Sequence, residues 1–188
     1  MSHPAVFLDR DGTINEEMGY INHLSRFRLL PEAAPAVRLL NEAGFKVVVV
    51  TNQSGAARGY FPPSLVEEVH NHLRELLARE GARLDAIYTC LHAPDSGCSC
   101  RKPKPGLLFR AAADLDLDLG RSYLVGDRYL DIQTAVNGGV KGLLVLTGYG
   151  LGEFTHFHAS CPAKPVTVAA NLLEAAAFIV SDLEKVRA

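Results

Sequence analysis

Two carboxylates two positions apart, Asp9 and Asp11, close the apolar run Ala5–Val6–Phe7–Leu8 and lead into Gly12 and Thr13. Acids this close repel unless a cation or a shared proton compensates. An apolar run this short, ended by a turn signal, reads as a buried strand. In open α/β sheets, ligands bind beyond the carboxyl ends of the strands. Three more polar groups stand in comparable places: Thr51 after Val47–Val48–Val49–Val50, Asp127 after Tyr123–Leu124–Val125–Gly126, and Lys102 in the loop after a third apolar segment. Each alone is an ordinary strand-end or loop residue. Together they are the parts that phosphoryl transfer to a carboxylate requires. One carboxylate attacks phosphorus and forms an acyl-phosphate, which splits one hard step into two. A second protonates the leaving oxygen and later deprotonates water. A hard cation such as Mg²⁺ screens the acids from the phosphate dianion. A hydroxyl and an ammonium hold the remaining oxygens.

A second constellation follows the third apolar segment. Cys90–Leu91–His92 and Cys98–Ser99–Cys100 supply three thiols and one imidazole. Residues separated by one position can point to the same side of an extended segment. Pro94 and Gly97 let the gap fold back. Three thiolates and a histidine fill a tetrahedral Zn²⁺ shell and leave no position for water, so the site is structural. Free thiols with an incidental histidine are the plainer alternative, and the density of the cluster argues against it. This zinc loop, residues 90–100, ends at Arg101–Lys102, so the metal would fix the segment that delivers the lysine.

The positioning elements alternate in type. Strands are expected at Ala5–Leu8, Val47–Thr51, Ala86–Cys90, Ser122–Gly126 and Gly142–Thr147. Helical patterns run from beyond Pro31 to Gly44, from Pro62–Pro63 to Gly81, from Pro105 to about Leu115, from about Leu130 to Asn137, and from Val168 to Val186. Residues 148–165 look irregular. Gly148, Gly150 and Gly152 follow a strand but lack phosphate-loop spacing, with no clear helix after them. Strands alternating with helices imply βαβ units and a doubly wound parallel sheet of about five strands. Between Asp11 and Thr51 there is room for a loop and one helix, so no large cap domain is expected and only loops close the site.

The chain has 188 residues, 48% of them hydrophobic and 21% charged, as expected of one globular domain over residues 1–188. A net charge of −2 argues against a nucleic-acid partner, which calls for a basic face. No apolar run is long enough to span a membrane. Met1–Ser2–His3–Pro4 lacks the basic and apolar regions of a signal peptide. A cytoplasmic monomer is expected, in which cysteines serve as metal ligands or free thiols.

The spaced motifs resemble the haloacid-dehalogenase-like (HAD) phosphatases over about residues 5–150: Asp9–Arg10–Asp11–Gly12–Thr13, then Thr51, Lys102 and Gly126–Asp127. That resemblance implies Asp9 as nucleophile, Asp11 as general acid/base, and Thr51 and Lys102 as phosphoryl-holding groups. It implies Mg²⁺ held by Asp9, the backbone carbonyl of Asp11, and Asp127. Asp131 remains open between ligation, positioning its neighbours and capping a helix. The zinc loop, Thr51–Asn52–Gln53–Ser54–Gly55 and Lys102–Pro103–Lys104–Pro105–Gly106 are similar to the branch that holds heptose-bisphosphate and histidinol-phosphate phosphatases, closer to the former. The branch implies substrate contacts from Arg10, Glu17, Met18, Gly19, Tyr20, Asn52, Gln53, Ser54, Arg101 and Arg128. It implies a small sugar bisphosphate as partner, in the making of activated heptose. Arg128 stands where lysine is common, and its planar fork suits a second phosphate. Histidinol phosphate is the alternative substrate, and a catalytically silent zinc-bearing module the alternative class. His70 and His72 lie two apart on a helix and do not share a face. His156, His158 and Cys161 are expected on a surface loop, with Cys161 a free thiol.

Overall fold

The computed structural model describes residues 2–187, without the side chains of 184–187; Met1 and Ala188 of the expected domain lie outside it. Six strands form one parallel sheet: β1 (Ala5–Leu8), β2 (Lys46–Asn52), β3 (Ala86–Cys90), β4 (Tyr123–Gly126), β5 (Lys141–Val145) and β6 (Thr167–Ala169), in the order β3-β2-β1-β4-β5-β6. Helices α1 (Ala33–Glu42), α2 (Pro63–Arg79), α3 (Gly106–Leu115), α4 (Tyr129–Gly138), α5 (Gly150–Phe157) and α6 (Leu172–Arg187) connect and follow them.

The sheet is apolar on both faces because helices cover both. Val6, Leu8, Val47 and Val49 point to one face and meet α1, α2 and α6 through Leu40, Leu73 and Ile179. Phe7, Val48, Val50 and Leu124 point to the other and meet α3 and α4 through Leu108, Ala111 and Ala135. This alternation within near-continuous apolar runs follows from the two-residue side-chain period of a strand. The strand order reverses direction between β1 and β4, whose partners are Leu8 and Val125. That reversal opens a crevice at the carboxyl ends of these two strands.

The fold is the doubly wound parallel sheet expected, with three differences of detail. Residues 150–157 form α5 where an irregular segment was expected. Thr167–Ala169 is a sixth strand pairing with β5, so the last helix begins at Leu172, not Val168. Both follow from non-local packing: α5 is anchored on the end of β4, and an edge strand of three residues carries no period of its own. Among the described residues, a single 3-10 turn at Leu24–Arg26 is the one regular helical or strand element between β1 and α1, and no helix is long and apolar enough to cross a membrane.

Candidate active site and metal centres

The chain leaves β1 at Asp9, whose N–H donates to the Val125 carbonyl of β4 at 2.9 Å. This bond holds the end of β1 beside the end of β4, where Asp127 lies. Oxygens of Asp9, Asp127 and Asp131 fall within 4.8 Å of one another. Lys102 enters from the loop after β3; its Nζ lies 2.8 Å from Asp9 Oδ1 and 2.5 Å from Asp131 Oδ1. Asp131 thus joins the cluster, and it also caps α4, since its Oδ2 accepts the Arg128 N–H at 3.2 Å.

Three carboxylates face one ammonium in a nearly dry place. Burial pushes Asp9 up to about 7, against the opposing pull of Lys102. Burial, then the charges of Asp9 and Asp131, push Asp127 up to about 8. Burial works to lower Lys102, but Asp131 and Asp9 outweigh it and keep the ammonium charged. The cluster is therefore short of positive charge, the condition a divalent cation relieves. Asp127 Oδ1 is buried without a hydrogen-bond partner, as a metal-directed oxygen would be. Gly12, at φ +80°, passes so close to Asp127 Oδ2 that a Cβ there would collide with it. The residues present fit a hard cation with oxygen ligands.

Asp11 stands apart from this cluster. Arg10 forks onto it, with Nη2 at 2.8 Å from Oδ2 and Nε at 3.2 Å from Oδ1. Asn15 Nδ2 donates to Oδ1 at 2.9 Å, and Gln53 Nε2 donates to Oδ2 at 2.8 Å and to Thr51 Oγ1 at 2.9 Å. Asp11 is thereby held in place, apart from the three clustered acids.

A cavity of about 170 Å³ brings together Asp9, Asp11, Thr51, Lys102 and Asp127 with Glu17, Gly19, Tyr20, Asn52, Gln53, Ser54, Arg101 and Arg128. Two expected substrate contacts do not line it. Arg10 is 1% exposed; its guanidinium turns inward to Asp11 and to His70 Nε2 at 3.3 Å. A buried guanidinium needs such partners, so it holds Asp11 and leaves the cavity to others. Met18 lines a neighbouring groove, and its carbonyl accepts from Arg26 Nη2 at 2.8 Å.

The thiol cluster is assembled. Cys90 Sγ lies 3.3 Å from Cys100 Sγ and 3.8 Å from Cys98 Sγ, while His92 Nδ1 lies 3.2 Å from Cys100 Sγ. A tetrahedron with Zn–S bonds of about 2.3 Å has edges of about 3.8 Å. The four donors fit that shell, and none is in a disulfide. Lys104 Nζ donates to the Gly97 and Cys98 carbonyls at 3.0 and 2.8 Å, which closes the loop below. The loop is docked on β2 by Asn52, whose side chain bonds the backbone of Lys102.

Four contributors escape a reading of spacing alone: His70, Asn15, Tyr149 and Glu153. His70 had a visible signal, because it lies on the apolar stripe of Val66, Leu73 and Leu77 in α2. A buried histidine is expected to serve a partner. Tyr149 and Glu153 belong to the segment read as irregular. Tyr149 N–H donates to Asp127 Oδ2 at 2.8 Å, which anchors the start of α5. His158 Nδ1 lies 2.6 Å from the Tyr129 hydroxyl, and His156 is exposed. Neither they nor Cys161 enter a metal-competent group among the described residues.

A chain from Thermosynechococcus vestitus named D-glycero-D-manno-heptose-1,7-bisphosphate 7-phosphatase is 45% identical over 97% of this chain and 98% of its own. This chain belongs to that family. The heptose-bisphosphate phosphatase of Escherichia coli K12, named for the β-anomer, is 44% identical over 78% of this chain and 81% of its own. Residues 99–175 match the HAD-hydrolase-like family model. Among solved structures, the family member from B. bronchiseptica, complexed with magnesium and phosphate, superposes with a TM-score of 0.87 at 34% identity, covering 95% of this chain and 99% of that one. Heptose-bisphosphate phosphatases are hydrolases, and the chain is accordingly a phosphatase on the HAD fold.

Proposed function

We propose that this phosphatase removes the C7 phosphate of D-glycero-D-manno-heptose 1,7-bisphosphate through an aspartyl-phosphate, with Mg²⁺ at the carboxylate cluster and a structural Zn²⁺ at Cys90, His92, Cys98 and Cys100. The observation that carries the reading is one cavity lined by both the Asp9–Asp127 acids with Lys102 and the two arginines Arg101 and Arg128. The acids and lysine suit a reacting phosphoryl group, and the arginines suit a second phosphate on the same small molecule. The names of the relatives support the same substrate.

Asp9 attacks phosphorus while the bond from phosphorus to the sugar oxygen breaks. Lys102 keeps the Asp9 carboxylate aimed through Oδ1 and, with Thr51, holds the equatorial oxygens in the transition state. Asp11 gives its proton to the leaving sugar oxygen. It then takes a proton from the water that attacks the aspartyl-phosphate, and phosphate leaves as the Asp9 carboxylate is regenerated. Arg10, Asn15 and Gln53 keep Asp11 in place through both proton transfers. Asp9, the Asp11 carbonyl and Asp127 would hold Mg²⁺, which would supply charge screening between the acids and the dianion. Zn²⁺ held by Cys90, His92, Cys98 and Cys100 would fix the segment that leads into Lys102. The small cavity and the net charge of −2 support a small-molecule partner for a cytoplasmic, single-domain monomer.

Phosphate release in the presence of Mg²⁺ tests the reading, with both anomers of the heptose bisphosphate and with histidinol phosphate. Release from the heptose bisphosphate, with the C1 phosphate retained, is expected. Release from histidinol phosphate alone would overturn the substrate, and release from none would leave a zinc-bearing binding module.

A further inference from the structure

Arg128 is held in a way that spacing does not predict. Its Nε donates to Glu153 Oε1 at 3.1 Å, and its guanidinium carbon lies 5.2 Å from the centre of the Tyr149 ring. Glu153 sits in the first turn of α5, and its side chain is 14% exposed. Its second oxygen accepts the Tyr129 N–H at 2.7 Å, so the carboxylate is fixed at both ends. Tyr149 is fixed too, through its N–H on Asp127.

A guanidinium presents two edges. Glu153 occupies the Nε edge. Among the described residues, Nη1 and Nη2 have no hydrogen-bond partner, and Arg128 lines the cavity with its side chain half exposed. The ring of Tyr149 limits rotation about the last bonds of the side chain. An arginine held this way loses little further entropy on binding and offers two parallel donors to one anionic group.

We propose that Glu153 is a positioning residue and that, with Tyr149, it sets selectivity for substrates bearing a second phosphate. It does so by fixing Arg128 with its terminal edge toward the cavity. The proposal rests on the sugar-bisphosphatase reading above and adds which residues make the second phosphate count. Glu153 makes no contact with the reacting group; its effect runs through Arg128.

Steady-state phosphate release from heptose 1,7-bisphosphate and from heptose 7-phosphate tests it, with wild type, Glu153→Gln and Tyr149→Leu. Glutamine keeps a carbonyl for the Tyr129 N–H but presents an amide donor where Arg128 needs an acceptor. For Glu153→Gln, KM for the bisphosphate should rise about tenfold, the loss of one charge-assisted hydrogen bond. Its kcat should stay within about twofold, and both constants for the monophosphate should be unchanged. Tyr149→Leu, at an exposed position, should shift the same constant in the same direction. In an Arg128→Met background, Glu153→Gln should add nothing. Equal losses on both substrates, or wild-type constants in both variants, would overturn the proposal while leaving the phosphatase reading intact. Wild-type protein inactive on both substrates would overturn that reading itself.

Discussion

The side-chain amide of Asn52 clasps the backbone of Lys102 from both sides: its Oδ1 accepts the Lys102 N–H at 3.2 Å and its Nδ2 donates to the Lys102 carbonyl at 3.4 Å. The end of β2 thereby sets the height at which Lys102 reaches Asp9. Replacing Asn52 with Ala removes this clasp on the Lys102 backbone and leaves the residue held through its Nζ on Asp9 and Asp131. We expect kcat to fall roughly 10–100-fold, as for a displacement of about 1 Å in a positioned group. Circular dichroism and zinc content should stay unchanged. A raised KM with wild-type kcat would instead make Asn52 a substrate contact.

Asp9→Asn should abolish turnover and leave the fold intact. The variant removes the proposed nucleophile and also one of three mutually repelling acids, while Lys102 retains Asp131 at 2.5 Å. Thermal unfolding is therefore expected at an unchanged or higher temperature. Residual turnover near that of wild type would exclude Asp9 as the attacking group.

Zinc analysis of protein purified without chelator should find one ion per chain. Stripping it should destabilise the loop that carries Lys102, by about 2 kcal/mol or more, which lowers the melting temperature by about 4–8 °C in a chain of this size. Activity should fall with it and return on adding Zn²⁺, not on adding Mg²⁺ alone. Full activity in zinc-free protein would separate the cluster from catalysis.

His70 links acidity to stability. Burial, followed by the charges of Arg10 and Arg74, lowers its pKa from 6.5 to about 3. In the unfolded chain the ring takes up a proton below about 6.5, and in the folded chain only near 3. The unfolded state therefore binds more protons between these values, so the stabilisation is complete above about 6.5 and declines as pH falls toward 3. Melting temperatures of wild type and His70→Gln between pH 7 and 4 should diverge in slope, with the variant less acid-sensitive. Parallel curves would show that His70 does not carry this dependence.

The strands that build the sheet core and both chemical constellations were legible because each is a local pattern. Val47–Val48–Val49–Val50 is a buried strand by composition, and Asp9, Thr51 and Asp127 follow apolar runs directly. The four Cys and His donors lie within one loop. α5 was not legible. Its first residues, Gly150–Leu151–Gly152, favour no helix, and its start is held by the Tyr149 N–H on Asp127. β6 was missed because three residues become a strand only by pairing with Leu143, Leu144 and Val145.

The sequence by itself determined which polar groups sit at the strand ends and which four Cys and His side chains meet in the loop after β3. Strand period, turn residues and ligand spacing act over a few residues, and a parallel sheet lines the strand ends up along one edge. Only the tertiary structure decided what each of these groups faces. Arg10 turns to His70, 60 positions away, and does not line the cavity, and Asn52 turns to Lys102, 50 positions away. Asp131 serves both the helix cap and the carboxylate cluster. A side chain at a strand end has several rotamers of similar energy, and burial against distant partners selects one.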